Sequence, residues 1–404
     1  MATHAGFIAF RYRDFTAFYI ARVFNALAVQ MVDVGIGWLV YALTDSAFAL
    51  GLVGLCIFVP NVLFALLAGQ VADMFDRKYV LVVCNLVSTT AALGLLIASL
   101  QTQISVPVLF MLIAVFGTSR AFSGPASQAM IPSLVPPEHL GNAVALASSA
   151  YQTATIAGPA LGGLLYAFGP SVVFGATTFC FGLSLVAYLI MNKRGVKARP
   201  EKFSFPYMTA GVRFIFSQPI ILGAITLDLF AVLLGGATAL LPIYARDIFM
   251  VGPWGLGLLR SAPALGAFTT SLLLAHMPLR SKAGLRMFQT VALFGVATIG
   301  FGLSTSFWVA LPFLLILGAS DMISVFIRST LIQVETPDEM RGRVAAVNTV
   351  FIGASNELGQ FESGLVASLV GPVMAVVLGG VGTIGVAGLC ARLFPKLRDR
   401  NALT

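Results

Sequence analysis

The stretch "GQVADMFDRK", Gly69 to Lys78, sets four charged side chains within six residues between two long apolar runs. Before it stands "LVGLCIFVPNVLFALLA" and after it "VLVVCNLVSTTAALGLLIASL". Each run approaches the ~20 apolar residues a helix needs to cross a bilayer. A short charged connection between two such runs reads as the turn of a membrane hairpin.

Composition extends that reading to the whole chain. Of 404 residues, 58% are apolar and 10% charged, and the mean hydropathy is +0.94. A soluble domain carries roughly 25% charged residues, so the solvent of this chain is a bilayer. Backbone groups in lipid must be satisfied within each segment, and the predicted fold class is an all-α membrane protein. The ~20-residue ruler yields twelve spans, at about 15–41, 49–72, 79–100, 105–132, 139–167, 170–192, 219–245, 254–278, 284–304, 307–333, 338–369 and 371–394. Those near 139–167 and 338–369 are the least apolar.

The net charge of +8 does not point to nucleic acid, because the basic residues are spread over short inter-span segments rather than gathered on one polar surface. Arg11, Arg13, Arg77, Lys78, Lys193, Arg194, Arg280, Lys282, Arg341, Arg343, Lys396 and Arg398 fall on one set of loops; the alternate loops carry almost none. Positive loops stay in the cytoplasm, which puts both termini there and demands an even number of spans. Arg246, beside Asp247, breaks the pattern. The first apolar stretch has no small-residue cleavage site behind it and is expected to remain as a span.

The longest polar stretch, "NKRGVKARPEKFSFPYMTAGVRFIFSQP", divides six spans from six. The expected organisation is a six-helix bundle over 1–192, a cytoplasmic linker over 193–218 and a second six-helix bundle over 219–404. "SLVPPEHLGNAVALA" (133–147) and "IQVETPDEMRGRVAAVN" (332–348) align so that Pro137 falls on Pro337 and Ala145 on Ala345. Each leads from a half's fourth span into its fifth, as duplication of a six-span unit predicts.

With these features in place, the opening stretch resembles the loop Gly-x-x-x-Asp-Arg-x-Gly-Arg-Lys of the major facilitator superfamily. Gly69, Asp73, Arg77 and Lys78 match it, while Met74 and Asp76 depart from it. Together with "RDFTAFYIARVFNALAVQM" and "WLVYALTDSAFALGLVG" it resembles the branch of bacterial enterobactin exporters and multidrug efflux proteins. "RAFSG" (120–124) is similar to that superfamily's fourth-helix pattern. In "AGPALGG" (157–163), Gly158, Pro159, Gly162 and Gly163 resemble the antiporter motif of the fifth helix. The resemblance implies a major facilitator fold and a secondary active exporter in the bacterial inner membrane, driven by proton flow. Its substrate would be a small amphipathic molecule such as a siderophore or a drug. It also implies that Asp73 sits near the start of span eleven as a cytoplasmic latch, with Gly69 allowing close approach. In that reading Asp76, Arg77 and Lys78 complete the gating loop, the two cations reaching Asp338 or Glu339. No cofactor is implied, the proton gradient being the energy source, and the partners are the substrate and the lipid; the unit is a functional monomer.

The charges inside the spans carry the chemistry. They are Arg22 and Asp33 on span one, Arg120 on four, Asp228 on seven, Arg260 on eight, Asp321 and Arg328 on ten, and Glu357 and Glu362 on eleven. A lone charge at bilayer depth costs ~2.5–3.5 kcal/mol or more, so each should face the interior and find a partner. Arg22 and Asp33, eleven residues apart, share a helix face, as do Asp321 and Arg328, seven apart. In the superfamily, spans one, four, seven and ten line the central cavity. Four arginines face five acids, leaving one acid over if each arginine takes one; a carboxylate in low dielectric favours its neutral form, which suits a proton carrier. Asp33 and Asp228 are the leading candidates for the carrier, with Glu357 or Glu362 after them; Arg120 pairs with the nearer aspartate, and Asp321 is also placed at the cavity. Arg22, Arg328, Arg260, Glu357 and Glu362 are expected as charge partners, the two glutamates pairing with Arg260.

Cys56, Cys84, Cys180 and Cys390 each lie in an apolar run, and His4, His139 and His276 are scattered, so neither metal centre nor catalytic triad is expected. No GxxxxGK[ST] occurs, which disfavours an ATP-driven pump. Proton-coupled import of a nutrient or metabolite is the alternative within transport. A non-transporting sensor of the same fold would have little use for the interior charges.

Overall fold

A computed structural model describes residues 5–101, 103–192, 205–277 and 282–401, without the side chains of 5, 66, 73, 205–209 and 346. The part of the linker at 193–204 lies outside the described residues.

The described chain is helical throughout. After a 3-10 turn at Ala5–Arg11 come α1 (Arg13–Thr44), α2 (Ala47–Met74), α3 (Arg77–Ser99), α4 (Val106–Leu134), α5 (Leu140–Tyr166) and α6 (Pro170–Ile190). The linker ends in α7 (Phe205–Ser217). The second half continues with α8 (Pro219–Leu234), the single turn α9 (Leu241–Ile243), α10 (Gly252–His276), α11 (Ala283–Gly302), α12 (Phe307–Glu335), α13 (Asp338–Val370) and α14 (Pro372–Leu393), and closes with α15 (Pro395–Arg398). Ten segments are long and apolar enough to cross a membrane, α8 and its continuation counting as one. Adding α5 and α13, the two least apolar, gives twelve long helices. The twelve-span all-α architecture expected from sequence is the architecture found.

By compactness the chain separates into two units. The first comprises the described residues within 1–43, 56–202 and 252–261; the second those within 44–55, 203–251 and 262–404. In the first, α3 packs on α4 and α6. In the second, α11 packs on α12 and α14. These are the third, fourth and sixth spans of their halves, so the packing repeats as the sequence does.

Local signals repeat as well. Pro137 opens the turn into α5, and Pro337 caps α13. Gly169 (φ 124°) and Gly371 (φ 86°) each turn the chain immediately before a proline that starts the sixth helix of a half. Positive φ favours glycine, and proline suits the first helical turn because its missing N–H would lack an intrahelical partner.

Each unit has a dry core. In the first, Phe15, Phe18, Leu81, Met130 and Leu134 are buried together. In the second, Leu227, Met287, Ile327 and Leu331 are. The seventh span departs from the unbroken helix expected over 219–245. It stops at Leu234, passes through Gly235 and Gly236 into a 3-10 turn, and ends in a π turn at Tyr244–Ile248. The cause is close packing: a Cβ on Gly236 would stand 2.5 Å from the Gly359 carbonyl oxygen of α13.

Candidate functional site

In the first unit, α1 carries Arg22 and Asp33 to one wall of a polar cavity of about 420 Å³, and α4 brings Arg120 to it. The shared face read from their spacing is the face found. Arg120 Nη2 donates to Asp33 Oδ1 at 2.5 Å, with both side chains 25% exposed. Among the described residues Arg22 takes no acid. Its Nε donates to the Ala147 carbonyl at 3.1 Å and its Nη1 to Ser127 Oγ at 2.9 Å. Arg260, near the start of α10, is close enough to feel the charges of Asp33 and Arg120. Among the described residues it has no ion pair or hydrogen bond with either. The expectation that every interior arginine takes one carboxylate is therefore corrected: neutral acceptors suffice for Arg22.

Asn85, Ser88 and Ser119 escaped the sequence reading. Asn25 donates to Asn85 Oδ1 at 2.8 Å, and Asn85 donates to the Phe181 carbonyl at 2.8 Å, joining α1, α3 and α6. Ser88 and Ser119 share a hydrogen bond of 2.7 Å, and Ser119 also reaches the Cys84 carbonyl. The available signal was Asn85, an amide standing inside "VLVVCNLV". A buried amide must be hydrogen-bonded, which made it a partner-seeking position. The serines give no such signal, since a helical serine satisfies itself on its own backbone.

The second unit holds a tighter version of the same chemistry. Asp228 of α8 and Arg328 of α12 form an ion pair with side chains 6% and 3% exposed. Asp321, on the Arg328 helix, feels both charges. Among the described residues it makes no ion pair and no hydrogen bond. Asp228, Asp321, Ser320 and Ser324 line a cavity of only about 10 Å³, room for roughly one water. Ser324 is buried there with its hydroxyl unpartnered. Of the acids expected at the cavity, Asp321 is the one left over. Glu362 accepts the Ser363 hydroxyl at 3.4 Å, and Glu357 is partly buried on α13. Their pairing with Arg260 would span the two units and stays an expectation.

Within the first unit, hydrogen bonds hold the loop that opened the sequence reading, while the expected reach of Arg77 and Lys78 to Asp338 or Glu339 would span the two units and stays an expectation. Asp76 is the N-cap of α3, its side chain accepting the Lys78 amide at 3.0 Å. Arg77 donates to the carbonyls of Ala129 (2.8 Å) and Ala72 (3.4 Å). Lys78 Nζ donates to the carbonyls of Met191 and Leu189, closing the end of α6. In the second unit Asp338 pairs with Arg341, one turn along its own helix. Helix ends leave carbonyls without partners, and Lys78 satisfies two of them. Gly69 lies in α2 with open space where its Cβ would be, and the Asp73 side chain lies outside the described residues.

The fifth-helix motif is a packing seam. A Cβ on Gly158 would stand 2.5 Å from Gln30 Cβ, and one on Gly162 would stand 2.9 Å from Met31 Cα, so both glycines admit α1. One on Gly163 would collide with Pro253 and Gly257 at the start of α10. Small residues of this spacing let membrane helices approach backbone to backbone. Arg246, the exception to the loop-charge pattern, is neutralised by Asp45 at 2.6 Å and lies near Asp247.

Residues 4–403 match the family described as transmembrane secretion effectors of the major facilitator type. The chain is similar to the enterobactin exporter EntS of Salmonella choleraesuis, with 24% identity over 399 residues covering 95% of this chain and 93% of that one. With EntS of Citrobacter koseri the identity is 25% over 392 residues, covering 95% and 92%. A solved bacterial homologue of the human lysosomal transporter Spinster superposes with a TM-score of 0.75 at 14% identity, covering 96% and 99%. A D-xylose–proton symporter does so with 0.72 at 13%, covering 96% and 99%. The relatives and neighbours are transporters rather than enzymes, and the chain belongs to the transmembrane secretion effector family of major facilitator membrane transporters.

Proposed function

We propose that the protein is a proton-coupled exporter of a small amphipathic molecule, a siderophore or a drug, working by alternating access in the bacterial inner membrane with both termini in the cytoplasm. The similarity to enterobactin exporters and the fifth-helix seam favour export. The observation that carries the coupling is the charge count around Asp228, Asp321 and Arg328. Asp228 holds the one guanidinium, and Asp321 stands beside them at a cavity large enough for about one water. One negative charge is therefore left over, and a proton on Asp321 neutralises it. Asp33 and Asp228 are less suited, each already holding an arginine. The carrier candidate thus moves from those two to Asp321, released and reloaded as its surroundings become wet from alternate sides.

Everted membrane vesicles test both parts. A panel of fluorescent amphiphiles should accumulate inside energised vesicles, and a protonophore should abolish that accumulation. Asp321→Asn should lose gradient-driven accumulation while retaining probe binding. Normal driven transport by that variant removes Asp321 as carrier. Accumulation indifferent to the protonophore removes proton coupling, and depletion instead of accumulation supports import.

A further inference from the structure

The charges of the first unit's cavity do not cancel, and this bears on what the cavity takes. Asp33 and Arg120 neutralise each other. Arg22 stands on the same wall with only a carbonyl and a hydroxyl as partners. Tyr151 and Tyr188 line the same cavity and bring no carboxylate to it. The wall therefore carries net positive charge at a depth where a lone cation is costly.

A guanidinium has five N–H donors, and Arg22 commits two of them to protein acceptors. Those two bonds hold the group in place, and the rest of the fork is free to meet a carboxylate, phenolate or similar anion two bonds at a time. Val29, Leu81 and Phe116 supply apolar surface in the same cavity, while Gln30 and Gln128 supply amides. We propose that this cavity is the substrate site and that it selects an anionic amphiphile bearing hydroxyl or amide groups, its negative charge received by Arg22. The proposal rests on the export reading for the direction of movement only.

Binding tests it with three probes sharing one fluorophore: dansylglycine (anionic), dansylamide (neutral) and dansylcadaverine (cationic). Each is titrated against the full chain in nanodiscs of zwitterionic lipid, with empty nanodiscs subtracted. The wild type should hold dansylglycine at least about tenfold more tightly than dansylamide, as expected of a charge-assisted hydrogen bond, with dansylcadaverine weakest. Arg22→Gln should erase that preference and leave dansylamide binding unchanged, whereas Arg22→Lys should keep most of it. If Arg22→Gln does not fold, the wild-type ranking and the lysine variant decide. Equal affinity for anion and neutral probe, or no saturable binding of the anion, overturns the proposal. An anion preference in a protein that accumulates no probe in energised everted vesicles leaves this site standing and sinks the export reading instead.

Discussion

Two aspartate–arginine pairs, one per unit, are made of the same atoms in opposite surroundings. Asp33–Arg120 is 25% exposed on each side and opens onto about 420 Å³ of polar space. Asp228–Arg328 is 6% and 3% exposed beside about 10 Å³. A pair reached by water loses little when it separates, because water takes the place of the lost partner. A sealed pair has no such substitute, and separating it strands a charge. On the proposed reading, the open pair borders the ligand cavity and the sealed pair holds a fixed charge balance around Asp321.

The contrast is most easily broken at the sealed pair. Arg328→Gln should destabilise the protein by about 3–5 kcal/mol, the cost of an uncompensated buried charge, read as a lowered midpoint in thermal unfolding in detergent. Adding Asp228→Asn should recover much of that loss; a double variant no better than the single one would mean that the guanidinium does more than balance the acid. Next in size is the α1–α5 seam. Gly162→Ala should cost about 1–3 kcal/mol as overpacking against Met31, and the same assay with a transport measurement shows whether α1 moves away. Smallest is the open pair. Asp33→Asn should shift stability by no more than about 1 kcal/mol while changing probe affinity. A loss as large as that of Arg328→Gln would erase the distinction between wet and dry pairs.

The fold was legible because bilayer length, loop charge and apolar runs each act locally, and twelve long helices followed from them. The repeat was legible through Pro137 and Pro337, which mark equivalent helix starts. The site was legible by residue and only partly by partner. Spacing put Arg22 and Asp33 on one face of α1, yet spacing within one helix says nothing about which acid meets which arginine across helices. Asp228 took Arg328, leaving Asp321 over, and Arg22 settled on neutral oxygens. Arg77 and Lys78 donate to carbonyls of their own unit, contacts that the charges of the loop alone did not reveal. Neither Ser88 nor Ser119 was visible at all, since nothing distinguishes a serine bonded across helices from one bonded to its own turn.

The interruption at Gly235 and Gly236 has a mechanical meaning. An unbroken rod passes a push from one end to the other; a rod with a joint lets one end tilt while the other keeps its seat. Here the joint is fixed in place by the bare backbone of Gly359, so flexing recurs at one address instead of wandering along the span. Its amides from Gly236 to Leu240, outside the α-helical ladder, should take up deuterium ahead of those on either side.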